Sequence, residues 1–372
     1  MAIPSTNPGP SRRHLGKPPG GYTTKDTARR RHWLQQHTGV ALNDLPPPSP
    51  EDLQGLIENH VGFVPMPLSV ASPLLIEGTY ARGEFAVPLC TIEGTLTISM
   101  TRGLLAIAMS GGCRTIHFRQ ELSRSPFFLM PGVAEIPAFI AWVREHYELL
   151  KKEAESTTRH GRLLRIDTIP MQGWVILDFV YDTGNAAGQN MVTIATDAAC
   201  RLVRDHTGHA YYLESGYNSD KKPSRKNLMT GRGHAVIFEV TLPDRVLDFL
   251  GVTGKAILEW QDMAMTSAQA VGIPGNNLHL ANALTAIYLA TGQDAACVAE
   301  NAVAFSQATP AADGDGLTCR VTLPSLTIGT VGGGTRLPAQ RRNLELLGCH
   351  EGIYSARKFA EIIGGAAGAL EI

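Results

Sequence analysis

The tightest constraint on the fold is a run of turn-forming residues wedged between two periodic segments. Residues 174–181 (WVILDFVY) form a nearly unbroken apolar run, the pattern of a buried strand. Thr183-Gly184-Asn185-Ala186-Ala187-Gly188-Gln189-Asn190 follows, and Met191, Ile194, Ala195, Ala198 and Leu202 then recur at helical spacing. A strand that feeds a helix through a glycine turn presents the helix's first, unbonded N–H groups to an anion. A second cluster, Gly329-Thr330-Val331-Gly332-Gly333-Gly334-Thr335, follows another strand-like run. Three successive glycines are costly in chain entropy, so they mark either a flexible turn or a close backbone approach to a phosphate or flat cofactor. Neither cluster is a GxGxxG fingerprint, which argues against the common doubly wound dinucleotide fold.

Composition limits the alternatives. The chain has 372 residues, 44% hydrophobic and 18% charged, enough for two to three domains with their own cores. A formal net charge of -1 argues against a general polyanion-binding surface, so no nucleic-acid partner is expected. No apolar stretch approaches the roughly 18–20 residues of a membrane span. The basic, proline-rich N-terminus lacks the apolar segment of a secretory signal. Cys90, Cys113, Cys200, Cys297, Cys319 and Cys349 are scattered without a CxxC pair. No metal site or disulfide framework is indicated, and a reducing, cytoplasmic setting is expected.

The pattern predicts a mobile arm over 1–24, a short helix over 25–40 stopped by Gly39, and a linker at 45–50. A helix over 50–62, strands over 63–90 and a buried helix over 94–112 follow. Ile136, Ile140, Val143, Tyr147 and Leu150 predict one amphipathic helix. HAVIFEVTLP reads as a strand, 254–267 and 277–290 as helices, and LTCRVTLPSLTIG as a strand pair broken at Pro324. No internal repeat is visible.

Three further groups of residues could carry chemistry. Glu93, in Thr91-Ile92-Glu93-Gly94, is either a solvated strand-end acid or a carboxyl kept neutral by apolar surroundings, able to donate a proton. Asp220-Lys221-Lys222 is either a solvated loop or a positioned ammonium that stabilises an oxyanion. Asn277-Leu278-His279-Leu280-Ala281-Asn282 and Gly292-Gln293-Asp294 combine polar groups with an apolar helix; Asp294 reads equally as a cap of the next helix.

In combination these motifs are specific. Glu58-Asn59-His60-Val61-Gly62, Pro67 to Leu74, Thr91 to Gly94, Ser215 to Pro223, Gly292 to Ala296 and Gly329 to Thr335 occur in the order of one family. From about residue 25 to its last residue the chain resembles the class I 3-hydroxy-3-methylglutaryl-CoA (HMG-CoA) reductases. The resemblance implies an α+β fold: a large α/β CoA-binding domain, an inserted small α+β (ferredoxin-like) cofactor-binding domain, and a small helical N-terminal part. Its segments would be 1–57 (arm and helical part), 58–124 (large domain, first segment), 125–214 (inserted NADPH-binding domain) and 215–372 (large domain, second segment).

The implied activity is NADPH-dependent reduction of HMG-CoA to mevalonate, a step toward isoprenoid precursors. The implied assembly is a homodimer or larger oligomer with active sites across the interface. Lys221 would stabilise the carbonyl oxygen, Glu93 would supply a proton, and Asp294 would orient the lysine. Asn59, Arg102, Arg124, Ser215, Asp220, Lys222, His279 and Asn282 would contact the substrate, Arg102 on its CoA part. Thr158, Arg159, Asn185, Ala187, Gly188, Gln189, Asn190, Val331, Gly332 and Gly333 would hold the cofactor, with Arg159 on its extra phosphate. The sequence departs from the family at three places. Asn185-Ala186-Ala187-Gly188-Gln189-Asn190 stands where the family has Asp-Ala-Met-Gly-Met-Asn. Asp262 stands where the family has a lysine for the substrate carboxylate. The family's thiolate-protonating histidine lies in a segment beyond Ile372, and neither His279 nor His350 takes its place. The alternatives are a reductase of another acyl-CoA, or a degenerate fold that binds a CoA ester or nucleotide without turnover.

Overall fold

A computed structural model describes residues 16–21, 23–41 and 53–372. The linker expected at 45–50 and most of the expected arm lie outside the described residues. Helix α1 (Thr24–Thr38) forms as expected, opened by a Thr23–Asp26 capping box and closed by Gly39 in the left-handed conformation.

Strands β1 (Leu68–Gly78) and β2 (Arg82–Cys90) make an antiparallel hairpin. Over its last residues β1 also runs parallel to β3 (Cys113–Arg124). From β3 the sheet continues antiparallel through β8 (Gly233–Leu242), β10 (Leu317–Leu326) and β9 (Phe305–Pro310). Helices α2 (Leu96–Met109), α9 (Leu280–Thr291) and α12 (Ser355–Glu371) bury one face of this sheet, around residues such as Met100, Phe238, Leu284 and Phe359. Glycines let α12 sink in: a Cβ at Gly103 would overlap the Ala369 carbonyl, and one at Gly368 the Phe238 ring. Glu361, wholly buried on α12, accepts N–H bonds from Thr79 (3.2 Å), Tyr80 (2.7 Å), Ala81 (2.7 Å) and His117 (3.0 Å). One carboxylate thus joins the β1–β2 turn to β3 and the helix.

A second core follows. The end of β3 pairs with β6 (Trp174–Asp182), and β4 (Phe127–Leu129), β5 (Arg162–Pro170) and β7 (Tyr211–Tyr212) complete an antiparallel sheet in the order β7-β4-β6-β5. Helices α3 (Ile136–Glu145), α4 (Tyr147–Ser156) and α5 (Gln189–Thr207) cover one face, burying Phe128, Val143, Leu150, Phe179 and Val203. This is the βαββαβ order of a ferredoxin-like unit, interrupting the larger α/β unit. The expected α+β class is borne out.

Four local expectations are corrected. The helix expected over 50–62 is, from Leu53 onward, a single turn followed by exposed irregular chain; Gly55 (φ 73°) and Asn59 (φ 53°) take left-handed conformations that break a helix. The amphipathic helix breaks at His146, whose ring stacks on Trp142 (4.3 Å) and bonds its carbonyl (2.9 Å). Strand β10 runs unbroken past Pro324: its β9 pairing ends at Thr322, so that side needs no donor beyond it, while its pairing with β8 continues to Leu326. Helix α9 starts at Leu280, three residues later than expected.

The two units dock through the turn that most constrained the sequence. Thr330 N–H donates to the Asn185 carbonyl (2.8 Å), and Ala186 and Val331 form a single parallel bridge. The Asn185 side chain uses both ends, donating to the Gly352 carbonyl (2.8 Å) and accepting from Ala356 N–H (3.1 Å). A Cβ at Gly329 would overlap the Ala187 backbone nitrogen. Gly329→Ala should therefore lower unfolding stability by about 1–3 kcal/mol, the usual penalty of overpacking. Calorimetry would check this; a variant as stable as the parent would show that the two backbones do not approach so closely.

Candidate active site

The loop after β7 carries Lys221 through two tight turns. Ser219 (φ 56°) and Lys221 (φ 57°) both adopt left-handed conformations that residues with a Cβ disfavour. Their surroundings enforce this. Asn227, buried, donates to the Lys222 carbonyl (2.8 Å). Lys221 N–H donates to Glu300 Oε2 (2.5 Å). Glu300 is wholly buried, accepts from the Thr327 hydroxyl, and lies 3.2 Å from Arg232 Nε. Arg232, also buried, reaches Asp220 Oδ1 at 3.4 Å; Arg124 reaches Asp220 Oδ2 at 3.4 Å and pairs with Glu214. A chain of alternating charge, Glu300–Arg232–Asp220–Arg124–Glu214, thus underlies the loop.

Asp294 arrives from the other side. Gly292 ends α9 in the left-handed conformation (φ 73°). Gln293 Oε1 accepts Gly329 N–H (2.9 Å), fixing the start of the glycine-rich segment. Asp294 Oδ1 caps the next turn by accepting Ala296 N–H (3.0 Å), while Oδ2 stands 2.9 Å from Lys221 Nζ. Asp294 thus caps the next turn, as one of its two readings expects, and also pairs with Lys221. The bond to Asp294 is the main cause that raises the Lys221 pKa, so the ammonium stays charged well above neutral pH. Both side chains are over 40% exposed (43% and 44%), so a ligand can reach the cation.

Glu93 does not complete a trio. It lies in the loop before α2, exposed, and accepts from Asn282 Nδ2 at 2.9 and 3.0 Å. Of its two readings, the solvated acid is the one this chain by itself shows: neighbouring Ile92 is 85% exposed and provides no apolar enclosure. Among the described residues no ion pair joins Glu93 to Lys221.

The remaining substrate candidates are dispersed. Asn59 lies exposed ahead of β1. Arg102 reaches the Leu250 carbonyl at the end of α7 (Asp244–Leu250). Arg124 and Asp220 belong to the ionic chain. Ser215 Oγ donates to the Ser125 carbonyl (2.5 Å), and Lys222 Nζ to the Asp220 carbonyl (3.0 Å). His279 is the N-cap residue of α9, its N–H bonded to Glu371 (2.6 Å). Asp262 sits exposed on α8 (Gly254–Val271).

The cofactor candidates gather better. Gly188 (φ 83°) opens the 19-residue α5 with no side-chain cap, leaving the N–H groups at Gln189 and Asn190 without a capping side chain. Gln189 Nε2 donates to Cys297 Sγ (2.8 Å), three residues beyond Asp294, so this helix start abuts the Lys221–Asp294 pair. Thr158 Oγ1 lies 3.0 Å from Met191 Sδ, which puts exposed Arg159 in a loop packed on the same helix start. Side chains added at Gly332 and Gly333 would meet nothing, so backbone there is open. Asn185 and Ala187, by contrast, are occupied in docking the two units.

Arg232, Glu300 and Cys297 were not singled out from sequence. A signal existed: Arg232 at the start of an apolar strand and Glu300 in CVAENAVAF are isolated opposite charges, which need each other if both are buried.

The family profile for hydroxymethylglutaryl-coenzyme A reductase matches residues 26–372. The 3-hydroxy-3-methylglutaryl-coenzyme A reductase of Methanocaldococcus jannaschii is 38% identical over 352 residues, covering 91% of this chain and 86% of that protein. The enzyme of the same name from Pyrococcus horikoshii is 39% identical over 353 residues, covering 91% and 85%. Among solved structures, a class II 3-hydroxy-3-methylglutaryl-CoA reductase from Streptococcus pneumoniae, bound to NADPH in open conformations, shares the fold (TM-score 0.70, 21% identity, 86% of this chain and 87% of that one). With the motifs, the ferredoxin-like insertion and this identity in agreement, the chain belongs to the hydroxymethylglutaryl-coenzyme A reductase family.

Proposed function

We propose that the chain reduces the thioester of HMG-CoA to an alcohol with NADPH. The observation that carries this is the Lys221–Asp294 pair at 2.9 Å, set beside the uncapped start of α5 through Gln189 and Cys297. A fixed ammonium and an anion-receptive helix end then lie within one site.

The residues fit the cofactor: uncapped N–H groups at α5 and exposed Arg159 suit phosphates, and open backbone at Gly332 and Gly333 suits a flat ring. NADPH, when bound, supplies the hydride. Lys221 then faces the negative charge that develops on the carbonyl oxygen, and Asp294 holds its Nζ in place. Glu93, oriented by Asn282, is the proton donor of this reading. It needs an apolar enclosure that this chain leaves open, and a second copy supplies it in our reading. Helix α8 supports that assembly: none of its 18 residues is buried, and Trp260 and Met263 are exposed, as are Val61 and Val64 near Asn59. Class I membership is supported by 38–39% identity to archaeal reductases against 21% to the class II structure. Buried thiols at Cys113, Cys200, Cys297 and Cys319 support a reducing, cytoplasmic setting. Asp262 favours a second reading, an acyl group without the free carboxylate of HMG.

Lys221→Ala should cut thioester-dependent NADPH oxidation at least about 10²-fold with the fold retained. Parent-like turnover would refute the assignment. Asp294→Asn removes the main cause of the raised Lys221 pKa, so the alkaline limb of the pH–rate profile should move to lower pH. A limb that stays in place would mean that another group titrates there. Comparing HMG-CoA with an acyl-CoA lacking the carboxylate decides between the two substrate readings.

A further inference from the structure

We propose that Glu300 is a positioning residue for Lys221, so that the single segment Asp294–Glu300 grips this lysine at both ends. Asp294 Oδ2 takes the side-chain ammonium at 2.9 Å, and Glu300 Oε2 takes the backbone N–H at 2.5 Å. The reach between those two grips sets where Nζ can stand.

Glu300 is the fixed partner. It lies on the short helix α10 (Val298–Asn301), whose last residue is pinned: Asn301 Oδ1 accepts from Tyr288 OH (2.7 Å) and Thr327 N–H (3.0 Å). Its own carboxylate is held by the Thr327 hydroxyl and by Arg232, with nothing of the side chain exposed. Lys221 is the partner that adapts, since it holds the left-handed backbone (φ 57°). Removing the acceptor frees the loop to relax toward ordinary backbone angles, and that relaxation carries Nζ away from Asp294. The ionic chain alone does not require this. Arg232 would be satisfied by any nearby carboxylate, whereas Lys221 N–H needs one of the right reach.

Arg232 Nε faces the same Oε2 as Lys221 N–H, so Glu300→Asp draws that oxygen back from both while leaving a negative charge beside Arg232, whose second partner is Asp220. Charge neutralisation needs no fixed reach and the N–H bond does, so the variant tests the bond to Lys221. The proposal rests on the reductase reading, so one readout must need no turnover. That readout is the pH dependence of Lys221 acetylation by acetic anhydride, mapped by mass spectrometry on the whole chain, with Asp294→Asn as the positive control. We expect Glu300→Asp to fold, to lower kcat by about 10–100-fold with KM within about threefold, and to label Lys221 at a lower midpoint pH. Parent kcat with an unchanged midpoint would overturn the proposal, leaving Glu300 a structural counter-ion only. If the aspartate variant does not fold, Thr327→Val removes the hydroxyl that orients Glu300 while keeping both charges. Its labelling midpoint should also fall and recover in Thr327→Ser; a midpoint equal to the parent's overturns the proposal. Should the parent never oxidise NADPH with a CoA thioester, the reductase reading fails, and the midpoints still decide the role of Glu300.

Discussion

The buried pair of Arg232 and Glu300 is the interaction on which the site depends. Each charge alone would be expensive to remove from water, so neither can be buried without the other. Their separation of 3.2 Å ties β8, at whose start Arg232 lies, to the α10 segment that follows Asp294. Both charges also face the lysine loop. Glu300 takes the Lys221 N–H, and Arg232 takes Asp220. The loop's strained backbone is thus the consequence of a buried electrostatic arrangement beneath it.

The second constraint is the close approach of two backbones. The turn after β6 packs on the segment after β10 because Gly329 has no side chain to separate them. Gln293 fixes the same Gly329 N–H from the α9 side. Adjacent residues in one short motif therefore serve different ends: Gln293 holds Gly329, where the two backbones approach, and Asp294 holds Lys221. The Asn185 side chain spends both hydrogen-bonding ends on α12 and the loop before it. An aspartate there would set a carboxylate against the Gly352 carbonyl, which gives this chain a physical reason for its asparagine.

Much of this was legible in the sequence. Alternating and apolar runs located β6, β8 and α5, and glycine punctuation located the ends of α1 and α9. The motif order implied the ferredoxin-like insertion, and the Lys221–Asp294 pairing was expected. What escaped was non-local. The unbroken β10 depends on where its β9 neighbour stops, and the break at His146 on a ring stacked over Trp142. Of the two readings of Glu93, solvated acid or carboxyl in apolar surroundings, this chain by itself shows the exposed one, which local sequence could not decide. The sequence of Glu300 and Arg232 lies 68 positions apart, with only their isolation among apolar neighbours to connect them.

The central claim is that the buried ion pair shapes the loop that carries Lys221. A double-mutant cycle on unfolding free energy and turnover tests it directly, using Arg232→Met, Glu300→Leu and the two together. Either single change should cost about 3–5 kcal/mol by leaving a buried charge unpaired, and the double variant should recover a large part of that loss. Its turnover should stay low, because Lys221 N–H has lost its acceptor. Additive stability losses, or a double variant with parental turnover, would contradict the account.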